Sequence, residues 1–210
     1  MEEKLTLKKF EEASEIVKKV TLNTNLIYSD YFSDQTGNQV YIKPENMQFT
    51  GAYKVRGSYY KISTLSDEER ERGLITASAG NHAQGTAYAS RLHNIPATIV
   101  MPKSTPIAKV SATEGYGAKV VLHGDCFDDS YAKAIEIVEK EGATFIAPFD
   151  DYEVMAGQGT LGIEILEDLP MVDMVITPAG GGGLLAGVAA CIKQINPRVE
   201  VIGVQAEGAP

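Results

Sequence analysis

The sequence predicts an α/β protein with largely parallel sheets and helices on both faces. Three observations carry this. Short runs rich in valine, isoleucine and threonine alternate with longer helical patterns along the chain, as right-handed βαβ crossovers require. Two of these runs, 74–77 and 172–177, pass directly into small-residue loops and then into helical patterns. At 210 residues the chain is long enough for one large domain or two modest ones.

In chain order, an amphipathic helix is expected over residues 7–18. Strands are expected over 39–43, 73–77, 97–101, 118–122, 144–147, 172–177 and 199–204. Helices are expected between them over 53–65, 81–92, 107–114, 127–141, 154–167 and 184–194. There are no low-complexity tracts, obvious repeats or flexible linkers.

The stretch Thr50-Gly51-Ala52-Tyr53-Lys54-Val55-Arg56-Gly57 places one lysine where a glycine-marked turn runs into the helix at 53–65. Tyr60, Ile62 and Leu65 are among that helix's larger residues. Lys54 would sit in the first helical turn, where unpaired N–H groups and the dipole make the potential positive. Such a place, or partial burial, disfavours an ammonium and frees the amine. A free amine is what Schiff-base chemistry with an aldehyde needs. Placement alone is weak, because a lysine near a helix start is usually a solvated surface residue.

Two loops sharpen the reading. Ser78-Ala79-Gly80-Asn81-His82-Ala83-Gln84-Gly85 follows one strand, and Gly180-Gly181-Gly182-Gly183-Leu184 follows another. Each is a strand, a small-residue loop and then a helix, a geometry that turns backbone N–H groups towards an anion. Two anion cradles and one activated amine suit an amino acid joined to an aldehyde cofactor that carries a phosphate. On these three motifs, in this order, the chain resembles the fold-type-II pyridoxal-phosphate enzymes, the tryptophan-synthase-β-like group. Within that group it is most similar to the threonine ammonia-lyase (threonine dehydratase) family, over essentially its whole length.

The resemblance implies that Lys54 carries pyridoxal 5′-phosphate and removes the substrate α-proton. Tyr53 would pack near one face of the cofactor ring, and Asn81 would donate to its 3′-oxygen. Gly180, Gly181, Gly182, Gly183 and Leu184 would hold the phosphate. Ser78, Ala79, Gly80, Asn81 and His82 would hold the substrate. The substrate would be L-threonine, with L-serine as an alternative, and the products 2-oxobutanoate and ammonia. The use would be isoleucine biosynthesis or threonine catabolism. A small domain, 76–150, would be inserted in a larger one made of 1–75 and 151–210, with the cofactor in the cleft. Family members commonly form homo-oligomers, so one is expected here.

Plainer readings stand beside these. The glycine run could serve only tight helix–strand packing. It also satisfies the dinucleotide pattern G-x-G-x-x-A over 181–186, with Glu207 after the next strand where a ribose-binding acid would lie. A nicotinamide enzyme, however, would leave Tyr53-Lys54 and the loop from Ser78 to His82 without a role. Ser78 is equally a cap or turn residue. His82 reads better as a structural histidine fixing its loop than as an acid–base catalyst. Arg56 reads as a structural or ion-pairing residue.

Composition excludes other classes. A net charge of −9 leaves no basic surplus for nucleic acid, and no apolar run approaches membrane-spanning length. Residues 1–10 are highly charged and lack a signal-peptide core. Cys126 and Cys191 are far apart, and His82, His93 and His123 are scattered, so no metal is expected and the setting reads as cytoplasmic.

Two departures from the family pattern matter. Ala79 stands where the serine racemases of the group carry a second serine, proposed as the base on the far face of the substrate. An eliminating enzyme is therefore expected, not a racemase. The family's catalytic domain also continues beyond Pro210, with further sheet and the serine or cysteine that meets the pyridine nitrogen. The chain is thus expected to be truncated at its C-terminus, with weak or absent turnover. The alternatives left open are another β-elimination or replacement enzyme, such as a threonine synthase or cysteine synthase relative, a nicotinamide-dependent oxidoreductase, and an inactive remnant.

Overall fold

The computed structural model describes residues 4–208. Its elements follow the predicted alternation, and the fold is α/β. The expected end of the chain, Ala209-Pro210, lies outside the described residues.

The first helix, α1 (Leu7–Val17), starts where the Thr6 hydroxyl accepts from the Lys9 amide at 3.2 Å. Its stripe of Phe10, Ala13 and Val17 is fully buried, the i, i+3, i+7 face of an amphipathic helix. A short antiparallel pair follows, β1 (Ile27–Tyr28) against β2 (Tyr41–Ile42), with α2 (Asp30–Thr36) between the strands. This corrects the expectation for 39–43, where a strand within the parallel pattern was foreseen. A two-residue strand is too short to show a period, so the sequence gives no sign of β1, and α2 is not among the expected helices either.

Next come α3 (Lys54–Ser63) and the short α4 (Asp67–Glu71), the latter held by a reciprocal Ser66–Glu69 capping box. The main sheet is parallel, in the order β5-β4-β3-β6, from β3 (Leu74–Ala77), β4 (Ala97–Met101), β5 (Lys119–Leu122) and β6 (Thr144–Phe145). Its crossovers are α5 (Asn81–Leu92), α6 (Ile107–Gly115) and α7 (Phe127–Glu141). All four residues of β3 are buried. Ile99, Met101 and Ile146 pack with Ile62 and Ala83 on one face of the sheet, while Ile75, Ala77 and Val100 pack with Ala134 on the other. Coverage on both faces is what a parallel sheet needs.

The long α8 (Tyr152–Asp168) begins at Asp151, whose carboxylate accepts from the Glu153 and Val154 amides. It leads to β7 (Met174–Pro178), α9 (Gly183–Ile195) and β8 (Glu200–Val204), with β7 and β8 paired in parallel. Val175, Leu184, Val188 and Ile192 form the core on one side of this pair, while Met174 and Ile176 are exposed.

The packing of α8 is set by missing side chains. A methyl group at Gly157 would lie 2.6 Å from the Arg56 carbonyl oxygen and 2.7 Å from the Gly57 Cα. A methyl at Gly159 would collide with the Phe10 ring. The backbones of α3 and α8 therefore touch. Gly157→Ala should destabilise the fold by about 1–3 kcal/mol, because the neighbours are backbone and cannot yield. Gly115→Ala, where nothing lies within 4 Å, should change stability by less than about 0.5 kcal/mol. Urea unfolding of both variants checks the contrast.

Candidate active site

Lys54 is the first residue of α3, with Tyr53 as the helix cap and Gly51 at φ +71° in the preceding turn. Its Nζ donates to the Pro148 carbonyl oxygen at 2.6 Å and lies 5.6 Å from the centroid of the Tyr53 ring. Burial holds the amine down, from 10.5 to about 8. About a tenth of it is therefore neutral at pH 7, against a few parts in ten thousand for an ordinary lysine. The expected availability of the amine is present, and its cause is desolvation.

The loop before α5 is closed on itself. The Ser78 amide donates to the Val100 carbonyl at 3.1 Å, and the Ser78 hydroxyl accepts from the Gly80 amide at 3.2 Å. Ala79 and Gly80 are half-buried, and Asn81 opens the helix at the surface. Gly80, at the cap position, offers no side-chain bond. The Lys109 Nζ lies 3.9 Å from where a Gly80 Cβ would be, which puts a cation at the mouth of this loop. Farther along α5, a methyl at Gly85 would meet the Lys54 carbonyl carbon and the Val55 nitrogen at 3.0 Å. Only a glycine lets α5 come this close to the lysine.

His82 is buried. Its Nε2 lies 3.1 Å from the Ile146 carbonyl oxygen and its Nδ1 3.4 Å from the Ser58 hydroxyl. A carbonyl only accepts, so Nε2 carries the proton and Nδ1 accepts. Burial first, then the nearby Lys54 charge, push the imidazole down to about 3, against the opposing bond to Ile146. A histidine neutral across the physiological range does not shuttle protons. It ties α5 to the end of β6.

The glycine loop before α9 holds a correction. Gly182, the helix cap, has φ +82°, where a side chain is strained. A side chain at Gly181 would collide with the Phe149 ring, and one at Gly183 would lie 2.8 Å from the Phe149 carbonyl oxygen. Packing against Phe149 therefore accounts for two of the four glycines. Gly180 has nothing within 4 Å of its Cβ position, so packing does not require it. Leu184 points into the core with Leu161, Val175 and Val188, which leaves only its backbone for a ligand. The Tyr53 ring, expected beside a cofactor, packs against this same core, and burial raises its phenol.

The elements meet at a segment that sequence reasoning missed, residues 146–149. The Ile146 carbonyl accepts from both Thr76 Oγ1, at 2.7 Å, and His82. Pro148 receives the Lys54 amine, and Phe149 lies against Gly181 and Gly183. The available signal was its position: it leaves the end of a parallel strand, as the other two loops do.

Most helix starts with a side-chain cap use Thr, Ser or Asp: Thr6, Ser29, Ser66 and Asp151. The helices α5 and α9 have none, and neither do α3 and α6. Two bare helix starts near a partly neutral lysine form a donor set suited to an anionic aldehyde.

Residues 17–210 match the family model described as pyridoxal-phosphate dependent enzyme. The chain belongs to this family. It is 52% identical over 206 residues to an L-threonine ammonia-lyase of Thermotoga maritima, covering 98% of this chain and 51% of that protein. It is 53% identical over 184 residues to a catabolic L-threonine dehydratase of Escherichia coli, covering 88% of this chain and 56% of that protein. The chain thus spans about half the length of the curated relatives it matches. Among solved structures, the processed threonine deaminase isoform 2 of Solanum lycopersicum superposes with a TM-score of 0.90 at 44% identity, over 95% of this chain and 55% of that one. Maize serine racemase superposes with a TM-score of 0.94 at 32% identity, over 98% of this chain and 63% of that one.

The family is one of enzymes that use pyridoxal phosphate, and the donor set of this member fits that group. Among the described residues no group of histidine, cysteine or acidic side chains could hold a metal, and no helix is long and apolar enough to cross a membrane.

The buried imidazole gives a pH test. His82 is held below its ordinary value of 6.5, so the unfolded chain binds the extra proton. Its contribution is complete above pH 6.5 and is lost as pH falls towards 3. Between pH 6.5 and 5 the wild type should lose about 2 kcal/mol more than His82→Gln does. Urea unfolding at the two pH values measures the difference.

Proposed function

We propose that this chain supplies the lysine, the substrate loop and the phosphate loop of an enzyme that converts L-threonine to 2-oxobutanoate and ammonia. L-Serine is a secondary substrate, giving pyruvate. The observation that carries this is the partly neutral Lys54 amine, held at Pro148 where three loops from strand ends meet. The expected division into 1–75 with 151–210 and an inserted 76–150 domain belongs to this reading. So do a homo-oligomer, a cytoplasmic setting, and a use in threonine breakdown or isoleucine synthesis.

Pyridoxal phosphate, when bound, supplies the aldehyde and the electron sink that make the α-proton acidic. The chain's own residues supply the rest. Lys54 takes that proton, since its amine is a competent base near neutral pH. The backbone at Ser78, Ala79, Gly80 and the start of α5 receives the substrate carboxylate, and Asn81 offers an amide to the 3′-oxygen. The bare start of α9, with Gly180 and Gly182 open, receives the phosphate. His82 holds the floor of the site without exchanging protons. The β-hydroxyl leaves with a proton as water. One water is regained when the product imine hydrolyses, so the net change is release of ammonia. Ala79 carries no hydroxyl for a base on the opposite face, which favours elimination over racemisation.

The test is covalent. The protein is incubated with pyridoxal phosphate, reduced with borohydride and digested, and mass spectrometry should find the added group on Lys54. A group on another lysine sinks the reading. Lys54→Ala should abolish 2-oxobutanoate formation from threonine while the fold persists. Turnover of residues 1–210 is compared with that of a chain extended by the relatives' remaining segment, and the extended chain should be the more active.

Gly180→Ala gives a second outcome. Its methyl enters open space in the protein, so stability should move by less than about 0.5 kcal/mol. Cofactor affinity, followed by absorbance, should fall about tenfold or more, as the methyl occupies phosphate space. Gly181→Val, by contrast, should lower stability as well as cofactor affinity, because its side chain would collide with the Phe149 ring.

A further inference from the structure

A buried ion cluster stands two residues beyond the lysine. Arg56 is fully buried, and its guanidinium grips two carboxylates at once. Nε and Nη2 donate to Glu45 at 2.8 and 2.9 Å, while Nη1 and Nη2 donate to Glu164 at 2.5 and 3.0 Å. Nη1 also reaches the Thr160 hydroxyl at 3.3 Å. Glu45 receives Thr24 Oγ1 at 2.6 Å and Gln48 Nε2 at 3.0 Å on the same oxygen. Lys43 Nζ lies 2.8 Å from Glu164 and 3.6 Å from Asp168.

The location runs against helix electrostatics. A cation in a first helical turn is unfavourable, and burying an ion cluster seldom stabilises a fold more than apolar packing would. Both features make sense if the cluster fixes an orientation. Glu45 opens a short 3-10 turn, Glu45–Met47, between β2 and α3, and Glu164 lies on α8. A rigid planar fork held from both sides stops α3 from rolling about its axis. At 100° per residue, Arg56 and Lys54 project about 200° apart. The cluster thus grips the back of the helix whose front carries the amine. A roll of 10° would move the lysine tip by roughly 1 Å, a displacement that matters for a reacting group.

We propose that Arg56, held by Glu45 and Glu164, is the positioning residue that sets Lys54 against the Pro148 carbonyl. The proposal rests on the reading above only in taking Lys54 as the reacting amine. Its effect is on the amine's surroundings and is readable without cofactor or substrate.

The test is trace acetylation of the cofactor-free chain as a function of pH, with the Lys54 peptide quantified by mass spectrometry. In the wild type the Lys54 midpoint should lie near 8. Arg56→Lys keeps the charge and loses the fork. It should raise the midpoint by roughly one unit or more towards an ordinary lysine, as the amine leaves its buried place. Glu45→Gln, which keeps shape and an acceptor, should shift Lys54 in the same direction. A folded variant with lower thermal stability and an unchanged Lys54 midpoint would show a structural role only and overturn the proposal. Failure of both variants to fold would overturn it too, by showing that the cluster serves the whole fold. The failure of threonine turnover, by contrast, would leave these midpoints untouched.

Discussion

The constraint on which the site depends is the close approach of α3 to its two neighbours. Gly157 brings the backbone of α8 onto Arg56 and Gly57, and Gly85 brings α5 onto Lys54 and Val55. Gln158 adds a bond, its side-chain oxygen accepting from the Gly57 amide at 3.2 Å. With backbone against backbone on two sides, α3 has little freedom to translate. The ion cluster around Arg56 then acts on rotation, the motion that smooth glycine surfaces leave open.

The second organising element is the short segment after β6. Within four consecutive residues, Ile146, Pro148 and Phe149 meet the strand β3, the histidine of α5, the lysine of α3 and the glycine loop of α9. Motifs more than a hundred residues apart in sequence thereby share one support. His82 shows how such a support is made from a titratable residue. Full burial keeps the ring uncharged, its tautomer is fixed by a carbonyl on one side, and a hydroxyl serves the other.

Much of this was legible in the sequence because it is local. The alternation of β-branched runs with helices located the main sheet, and glycine-marked turns located the starts of α3, α5 and α9 within a residue or so. The placement of Lys54 was also legible. What remained hidden is long-range. The lowered amine comes from burial rather than from the helix start, and the carbonyl that receives it, Pro148, lies 94 residues farther on. The glycine run looked uniform, yet Gly181 and Gly183 answer to Phe149, some thirty residues earlier, and only Gly180 and Gly182 do not. A strand was legible at 39–43, where β2 lies, but its partner β1 was not, because two residues carry no period.

A lysine that is partly uncharged at neutral pH does not choose its aldehyde. Cyanate, sugars and small reactive carbonyls attack neutral amines, so Lys54 should be chemically the most vulnerable lysine of the chain when nothing occupies it. Damage there would leave the helices and sheets intact while consuming the amine that burial holds partly neutral. Aged preparations would then look folded by every structural measure and yet have lost this amine.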